Sequence, residues 1–380
     1  MVLAFPIENR INNVVLNEEQ QLLSDTISNF LDEHAPTEAL RALRDTPNGP
    51  AWSDELWQQL CEMGVPSAAQ PEAEGGLGFG WMGLGAVLEQ MGRRLTVSPL
   101  LSSVVFAGSV IRNCGSDAQR ERWLARIMDG TLIATVAFQE RKHFHSRPLL
   151  REAEDGSLSG EKKLVMAASK AELLLVTALR KNGDLGIAAL SQNEAGITIT
   201  EELLFDGNRY ATVSLQNVHV SEEQWLVGDN TNEGFTTALN HATLALCAEM
   251  MGGARELLDR TVVYLAEREQ FGVKIGSFQA LQHRCAQAYC QLELAESAVL
   301  AALSDADRDL LVTSDQVSRA KAMAGDVYEH ISNEAVQLHG GMGVTDEMDI
   351  GLFLKRSRVC NQLFGDAHWH RERFATLRGF

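Results

Sequence analysis

Along the chain the hydrophobic positions change period twice, and the two changes divide it into three parts. In the first, Leu22, Leu23, Ile27, Phe30 and Leu31 fall on one stripe of a helix predicted over 17–34. Asn17 is its N-cap, and Glu18 and Glu19 follow where the helix dipole favours anions. The same spacing predicts helices near 51–63, 80–94, 98–113 and 117–129, the last opening at Ser116-Asp117 and stopping at Gly130. The middle part reads differently. Residues 132–138 and 171–177 are short, nearly continuous apolar runs of the kind that become buried strands. Asn182-Gly183-Asp184 and Asp206-Gly207-Asn208 supply turns between further short runs at 186–190 and 196–200.

Helical spacing returns after Gly228-Asp229-Asn230, with long segments near 236–268, 277–304 and 314–339, the third closed by Gly340-Gly341. The order predicts an α+β, mostly α architecture. An N-terminal helical domain (1–130) and a middle β-barrel-like domain (131–227) precede a C-terminal four-helix bundle (228–380).

Charge narrows the partners. The 380 residues carry 51 acidic against 33 basic side chains, a formal charge of −18, which excludes nucleic acid and anionic lipid surfaces. Six scattered cysteines without a Cys-x-x-Cys pair argue against a disulfide scaffold and suit a reducing compartment. The start, Met1-Val-Leu-Ala-Phe-Pro6, has neither the basic region nor the apolar length of a signal peptide, and no run approaches the roughly 18 apolar residues of a membrane span. A cytoplasmic protein is expected.

Several motifs fail on context. Gly78, Gly80 and Gly83 spell G-x-G-x-x-G, but no strand precedes them and no acid follows about 20 residues on, so a loop entering a helix is expected. His368-x-His370 and Glu140-x-x-His143 lack a second ligand pair, and no metal is expected. His339-Gly-Gly-Met-Gly343 has no Gly-x-Ser-x-Gly elbow to serve as an oxyanion loop, although its glycines let a helix end lie close to a ligand. Arg268, Phe271 and Gln279, around a helix break at Gly272, offer charge, a stacking face and an amide to a phosphorylated aromatic ligand.

The spelling around that break, Arg268-x-Gln-Phe-Gly-x-x-Ile-x-x-Phe-Gln279, resembles a signature of the acyl-CoA dehydrogenase family. So do Gln337-Leu-His-Gly-Gly-Met-Gly-Val-Thr345, Pro71-Glu-Ala-Glu-Gly-Gly-Leu-Gly78, Arg122-Trp-Leu-Ala-Arg-Ile-Met-Asp-Gly130 and Leu158-Ser-Gly-Glu-Lys162. The resemblance spans nearly the whole chain. It implies the acyl-CoA dehydrogenase fold and FAD-dependent α,β-desaturation of an acyl-CoA thioester. In that reaction a carboxylate removes the Cα proton while a hydride leaves Cβ, and the thioester carbonyl is held by donors. It also implies electron-transfer flavoprotein as the electron acceptor. Arg268, Phe271, Gln279, Gln337, Gly340 and Gly341 match the positions that reach an FAD held mainly by a neighbouring subunit.

Other positions depart from the family. Of its flavin-side strand, only Glu140 survives in 139–146. Leu164 and Met166 stand where Trp and Thr would contact the ring. Phe364 occupies the usual place of the catalytic glutamate, and the alternative place, near His241-Ala242, also lacks a carboxylate. Two acids remain as candidate bases: Asp366, against a loop cap or an adenine contact, and Glu249, against a buried structural acid. The losses resemble one partner of a two-subunit steroid-side-chain acyl-CoA dehydrogenase, whose homologous partner supplies the glutamate. A self-sufficient homomeric enzyme using Asp366 or Glu249, and a non-catalytic acyl-CoA-binding scaffold, are the alternatives. Five basic residues at Lys355, Arg356, Arg358, Arg371 and Arg373 make a C-terminal region suited to a nucleotide.

Overall fold

The computed structural model describes residues 16–141, 143–145, 147–309 and 314–380, so the N-terminal residues considered above for a signal peptide lie outside the described part. Helix α1 (Glu18–His34) begins at a reciprocal capping box: Gln20 N donates to Asn17 Oδ1 at 2.8 Å and Asn17 N to Gln20 Oε1 at 3.1 Å. Helix α2 (Thr37–Asp45) escapes the periodicity because it is short and Pro36 gives it no side-chain cap. Tertiary bonds hold it instead, from Thr37 Oγ1 and Arg41 to the Asp349 carboxylate at 2.7 and 2.8 Å. Helices α3 (Asp54–Glu62) and α4 (Gly80–Arg94) follow.

The helix expected over 98–113 is a π-helix over Leu100–Ala107 that runs into α5 (Gly108–Cys114). All eight π-helical residues are buried, and Ser103 Oγ accepts from Ala134 N at 3.0 Å, which seats the first strand. Helix α6 (Asp117–Met128) starts at a second capping box, made by Ser116 and Gln119.

The middle of the chain forms two three-stranded sheets. One has the order β1 (Ala134–Ala137), β3 (Leu173–Leu179), β4 (Leu185–Ser191); the other β2 (Ser157–Met166), β6 (Arg209–His219), β5 (Ile197–Leu203). Among the described strands of these two sheets, β1–β3 is the one parallel pairing, and an isolated bridge from Arg151 to Leu179 is parallel too. Leu174, Val176, Ala188 and Leu190 of one sheet share a core with Leu158, Val165, Val213 and Leu215 of the other. β2 is hard to see in the sequence because register shifts between Leu158 and Gly160, and between Lys162 and Val165, break its alternation.

Helix α7 (Thr231–Glu267) opens at Asn230, whose side chain accepts from Glu233 N, five residues before the expected start. It is apolar on most sides and correspondingly buried. Helices α8 (Gln279–Asp309), α9 (Ser314–His339), α10 (Ile350–Gln362) and α11 (Ala367–Arg378) complete the bundle, with α9 packed against each of the other four. Helix α4 crosses α7 at backbone contact: a Cβ on Gly252 would lie 1.9 Å from the Glu89 carbonyl oxygen, and one on Gly92 2.0 Å from that of Glu249.

Among the described residues no helix is long and apolar enough to cross a membrane, and no group of three or more His, Cys, Asp or Glu side chains gathers as a metal site. The six cysteines are free thiols.

Candidate active site

Two of the sequence-predicted segments meet at one end of the bundle. Strands β7 (Glu269–Gln270) and β8 (Val273–Lys274) form a minimal hairpin whose two turn residues, Phe271 and Gly272, both have positive φ (56° and 77°). A phenylalanine in the left-handed region costs on the order of 1 kcal/mol, and the turn is held by its base. Ile275 N donates to the Arg268 carbonyl at 2.9 Å, and Lys274 Nζ reaches both Glu267 O and Glu269 Oε1 at 2.8 Å. The Tyr264 ring, just before the hairpin, stacks on His339 at 4.2 Å, which joins α7 to the 340–344 turn beyond α9. Leu265, Cys285 and Leu338 form a small separate core beneath both.

This end of the molecule is unfinished. Phe271 is 92% exposed beside Phe278, and Val273, Met342 and Val344 of the same two segments are exposed as well. Arg268, Gln279 and Gln337 are exposed too, and among the described residues their side chains take part in no hydrogen bond or ion pair. Gly340 has φ +59°, and a Cβ on either Gly340 or Gly341 would meet nothing within 4 Å. Packing inside this chain therefore gives Gly341 no reason to lack a side chain. The structure brings together Arg268, Phe271, Gln279, Gln337, Gly340 and Gly341 as an open polar edge with a stacking face.

Phe364 lies elsewhere, in the turn between α10 and α11. It is 1% exposed, with φ 60°. Its ring centroid is 5.4 Å from Phe106 of the π-helix and 6.2 Å from Phe138, just past β1, nearly parallel to the latter at 24°. Phe235 and Phe144 extend the cluster, and Phe144 meets Trp369 at 4.6 Å. A flat ring inserted between two others holds them about 7 Å apart, two contacts of ~3.5 Å, so the Phe138–Phe364 gap is already closed. The turn is pinned from below. Lys321, fully buried, donates from Nζ to the carbonyls of Cys360, Asn361 and Gly365 at 3.0, 3.2 and 2.9 Å. Burial pushes this ammonium down to about 8. Burial also takes His370 down to about 3, leaving a neutral ring with Nε2 3.0 Å from the Phe364 carbonyl.

Each of the two candidate bases is engaged by its own neighbours. Asp366 is the N-cap of α11, accepting from Trp369 N at 2.8 Å. Glu249, on α7, binds the Arg356 guanidinium at 2.7 Å, and Arg356 also bonds Asp206 at 3.0 Å and Tyr210 Oη at 3.4 Å. Arg356 thus ties α10 and α7 to the β5–β6 turn. Three more arginines of the basic C-terminal region also have partners within the chain. Arg358 pairs with Glu329 and Arg371 with Asp326, while Arg373 bonds Asn240 and packs over Trp369.

Glu140 has a local reason to persist. Its Oε1 lies 2.5 Å from Nζ of Lys162, which is completely buried, and its carboxylate also accepts from Leu149 N and Leu150 N at 2.6 and 3.0 Å. Burial raises the Glu140 carboxyl, yet Lys162 and the two N–H groups outweigh it and leave it below its usual value. Lys162, pushed down to about 8 by burial, is partly restored by the same pair. Sequence reasoning missed this pair and the aromatic cluster, whose members lie in five separate segments with no shared spacing. The loop at Gly78–Gly80 enters α4 as expected: Trp81 N and Met82 N, the donors a phosphate would take, are given to Asp307 at 2.5 and 3.1 Å.

Comparison with known proteins places this architecture in a family. Residues 17–131 match the N-terminal domain of acyl-CoA dehydrogenases and residues 232–376 the C-terminal domain. The chain belongs to the acyl-CoA dehydrogenase family, FAD-dependent oxidoreductases that act on CH–CH bonds in lipid metabolism. It is 30% identical over 354 residues to the acyl-CoA dehydrogenase IpdE2 of Mycolicibacterium smegmatis, covering 92% of this chain and 96% of the relative. Among solved structures it resembles the ChsE4–ChsE5 complex of Mycobacterium tuberculosis (TM-score 0.85, 25% identity, 95% of this chain and 97% of that one). It also resembles a variant of the Tcur3481–Tcur3483 steroid ACAD (TM-score 0.84, 28% identity, 95% and 98%).

Proposed function

We propose that this chain is one subunit of a heteromeric acyl-CoA dehydrogenase, and that it completes an active site whose base and main flavin pocket belong to a homologous partner. The observation that carries this is the contrast between its two halves of a site. At the position that the resemblance gives to the family's glutamate, Phe364 packs against Phe138 and Phe106, and the Phe138–Phe364 gap admits no further flat ring, which supports a chain without its own base. The edge at 268–279 and 337–341 is open and lacks internal partners, which fits the pyrophosphate and adenine side of an FAD carried by another subunit.

Bound FAD supplies the acceptor for the hydride leaving Cβ. This chain's part is binding and orientation. Arg268 meets phosphate charge, Gln279 and Gln337 offer amides, Phe271 covers an apolar face, and Gly340 and Gly341 allow close approach of backbone N–H groups. Asp366 and Glu249 are structural in this scheme, as a helix cap and a clamp, and the partner's glutamate removes the Cα proton. Electron-transfer flavoprotein takes the electrons onward, and the assembly works in the cytoplasm. The steroid ACAD among its structural relatives favours a bulky alicyclic acyl-CoA as substrate.

The experiment is co-expression with a homologous chain that keeps the glutamate. Expressed alone, this protein should purify without stoichiometric FAD. The pair should hold FAD and show acyl-CoA-dependent bleaching, and Arg268→Ala in this chain should weaken flavin retention roughly tenfold or more, the loss of one charge-assisted contact. Stoichiometric FAD and bleaching in the chain alone, abolished by Asp366→Asn or Glu249→Gln, would point to the homomeric enzyme.

A further inference from the structure

Helix α8 keeps one face exposed along its length. From Gln279 to Ser304 its exposed positions are two Gln, three Ala and one each of His, Cys, Leu and Ser, with no Asp, Glu, Lys or Arg. The rest of the surface is different: 22% of the chain is charged, and α1 alone exposes Glu18, Glu19, Asp25, Asp32 and Glu33. The charges that α8 does carry turn aside to neighbours in the chain. Arg284 bonds Glu334 of α9 at 2.5 Å, and Arg255 of α7 takes both Glu293 and Glu296. The result is a charge-free strip over about seven turns, on a chain of net charge −18. Such a strip lets two like-charged bodies touch without setting like charges against each other.

The strip is also spaced for a second helix. His283, Gln287, Cys290, Leu294 and Ser297 follow one another at intervals of four, three, four and three, the repeat that keeps one seam facing a partner helix. The seam matches itself when reversed. Turned end for end about Cys290, it sets Leu294 opposite Gln287, Ser297 opposite His283 and, one turn further out, Ala301 opposite Ala280. Leu294, 63% exposed, thus meets the stem of a glutamine and not a second leucine, and alanine meets alanine at the ends. A contact made by one surface with its own copy about a two-fold axis needs this kind of self-complementarity.

We propose that α8 is the contact surface for a second copy of this chain, packed antiparallel about a two-fold axis beside Cys290. Cys290 lies about 16 Å along the helix from Gln279, so the like-with-like contact and the open edge are neighbouring but distinct surfaces. Two copies joined through α8, each serving one FAD-bearing partner, make an assembly of two and two. That count rests on the function proposed above, whereas the pairing through α8 does not.

Cys290 is the one exposed thiol among the six, which makes the wild-type protein its own probe. With helix axes about 8–10 Å apart, the two Cys290 thiols meet at the two-fold axis, within reach of a short bis-maleimide. Added at micromolar protein concentration to the chain alone and to the co-expressed pair, the reagent should convert most of this chain to a species of twice its mass. Peptide mass spectrometry should find Cys290 joined to Cys290. Leu294→Arg, at an exposed position outside the core, should lower the yield about tenfold or more by setting like charges beside the axis, and should separate the copies in sedimentation. In a Cys290→Ser background, Gln287→Cys with Leu294→Cys should cross-link, and either change alone far less. Cross-linking of Cys290 to the partner polypeptide, no cross-link under native conditions, or a yield indifferent to Leu294→Arg overturns the proposal. Equal yields from the single and double cysteine variants overturn the antiparallel arrangement. FAD retention in the same samples is read separately and tests the open edge.

Discussion

Replacing Arg356 by methionine removes the one cation between two acids from different parts of the fold. Asp206 is fully buried, and the Glu249 side chain is 14% exposed. Methionine fills most of the arginine volume, so the dominant effect is electrostatic. Both carboxylates stay in place, desolvated and facing each other. Removing one partner of a buried pair typically costs 3–5 kcal/mol, so about 4 kcal/mol is expected. A chain of 380 residues unfolds with an entropy of about 0.8 kcal/mol per degree, which makes this a fall of roughly 5 °C in Tm. Neutralising the acids in Arg356→Met/Glu249→Gln/Asp206→Asn should recover at least half of the loss, since amides of the same shape can bond one another. Differential scanning calorimetry of the wild type, the single and the triple variant decides it. A single variant melting within 1 °C of wild type, or a triple variant no better than the single, would refute the view of Arg356 as a clamp.

Three further outcomes are expected. Lys321 has a folded pKa of about 8 against 10.5 for an ordinary lysine, so between those values the unfolded chain holds more protons and stability rises with pH. From pH 7 to pH 9.5 the wild type should gain about 2 kcal/mol on Lys321→Met in urea unfolding, and a flat difference would contradict the buried ammonium. Gly341→Ala should leave the melting of the isolated chain unchanged while lowering FAD retention in the assembled enzyme; a stability loss with flavin unaffected would make Gly341 a packing residue. Phe364→Glu places a carboxylate against Phe106 and Phe138, and should destabilise the chain by several kcal/mol without producing acyl-CoA-dependent bleaching. Activity in that variant alone would show that the seat still takes substrate and flavin.

The helices and the open edge were legible because their causes are local. Asn17, Ser116 and Asn230 are caps within three residues of the groups they bind, and the hairpin at Phe271-Gly272 announces itself through its glycine and the helix it ends. Helix α2 was not legible, since Asp349, more than 300 residues away, holds it. The aromatic cluster was half legible: the family resemblance sets Phe364 where a glutamate is expected, but its packing against Phe138 and Phe106 depends on three distant segments meeting. The basic C-terminal run was only partly legible for the same reason, because composition counts charges and only the fold shows which acids Arg356, Arg358 and Arg371 face.

The contact between α4 and α7 has a mechanical consequence. With carbonyl oxygens seated where Cβ atoms would be at Gly92 and Gly252, the two helices have no side-chain cushion and no free play at their crossing. They act as a single welded strut joining the first third of the chain to the last. Any relative movement of the first and last thirds of the chain must therefore arise away from this crossing.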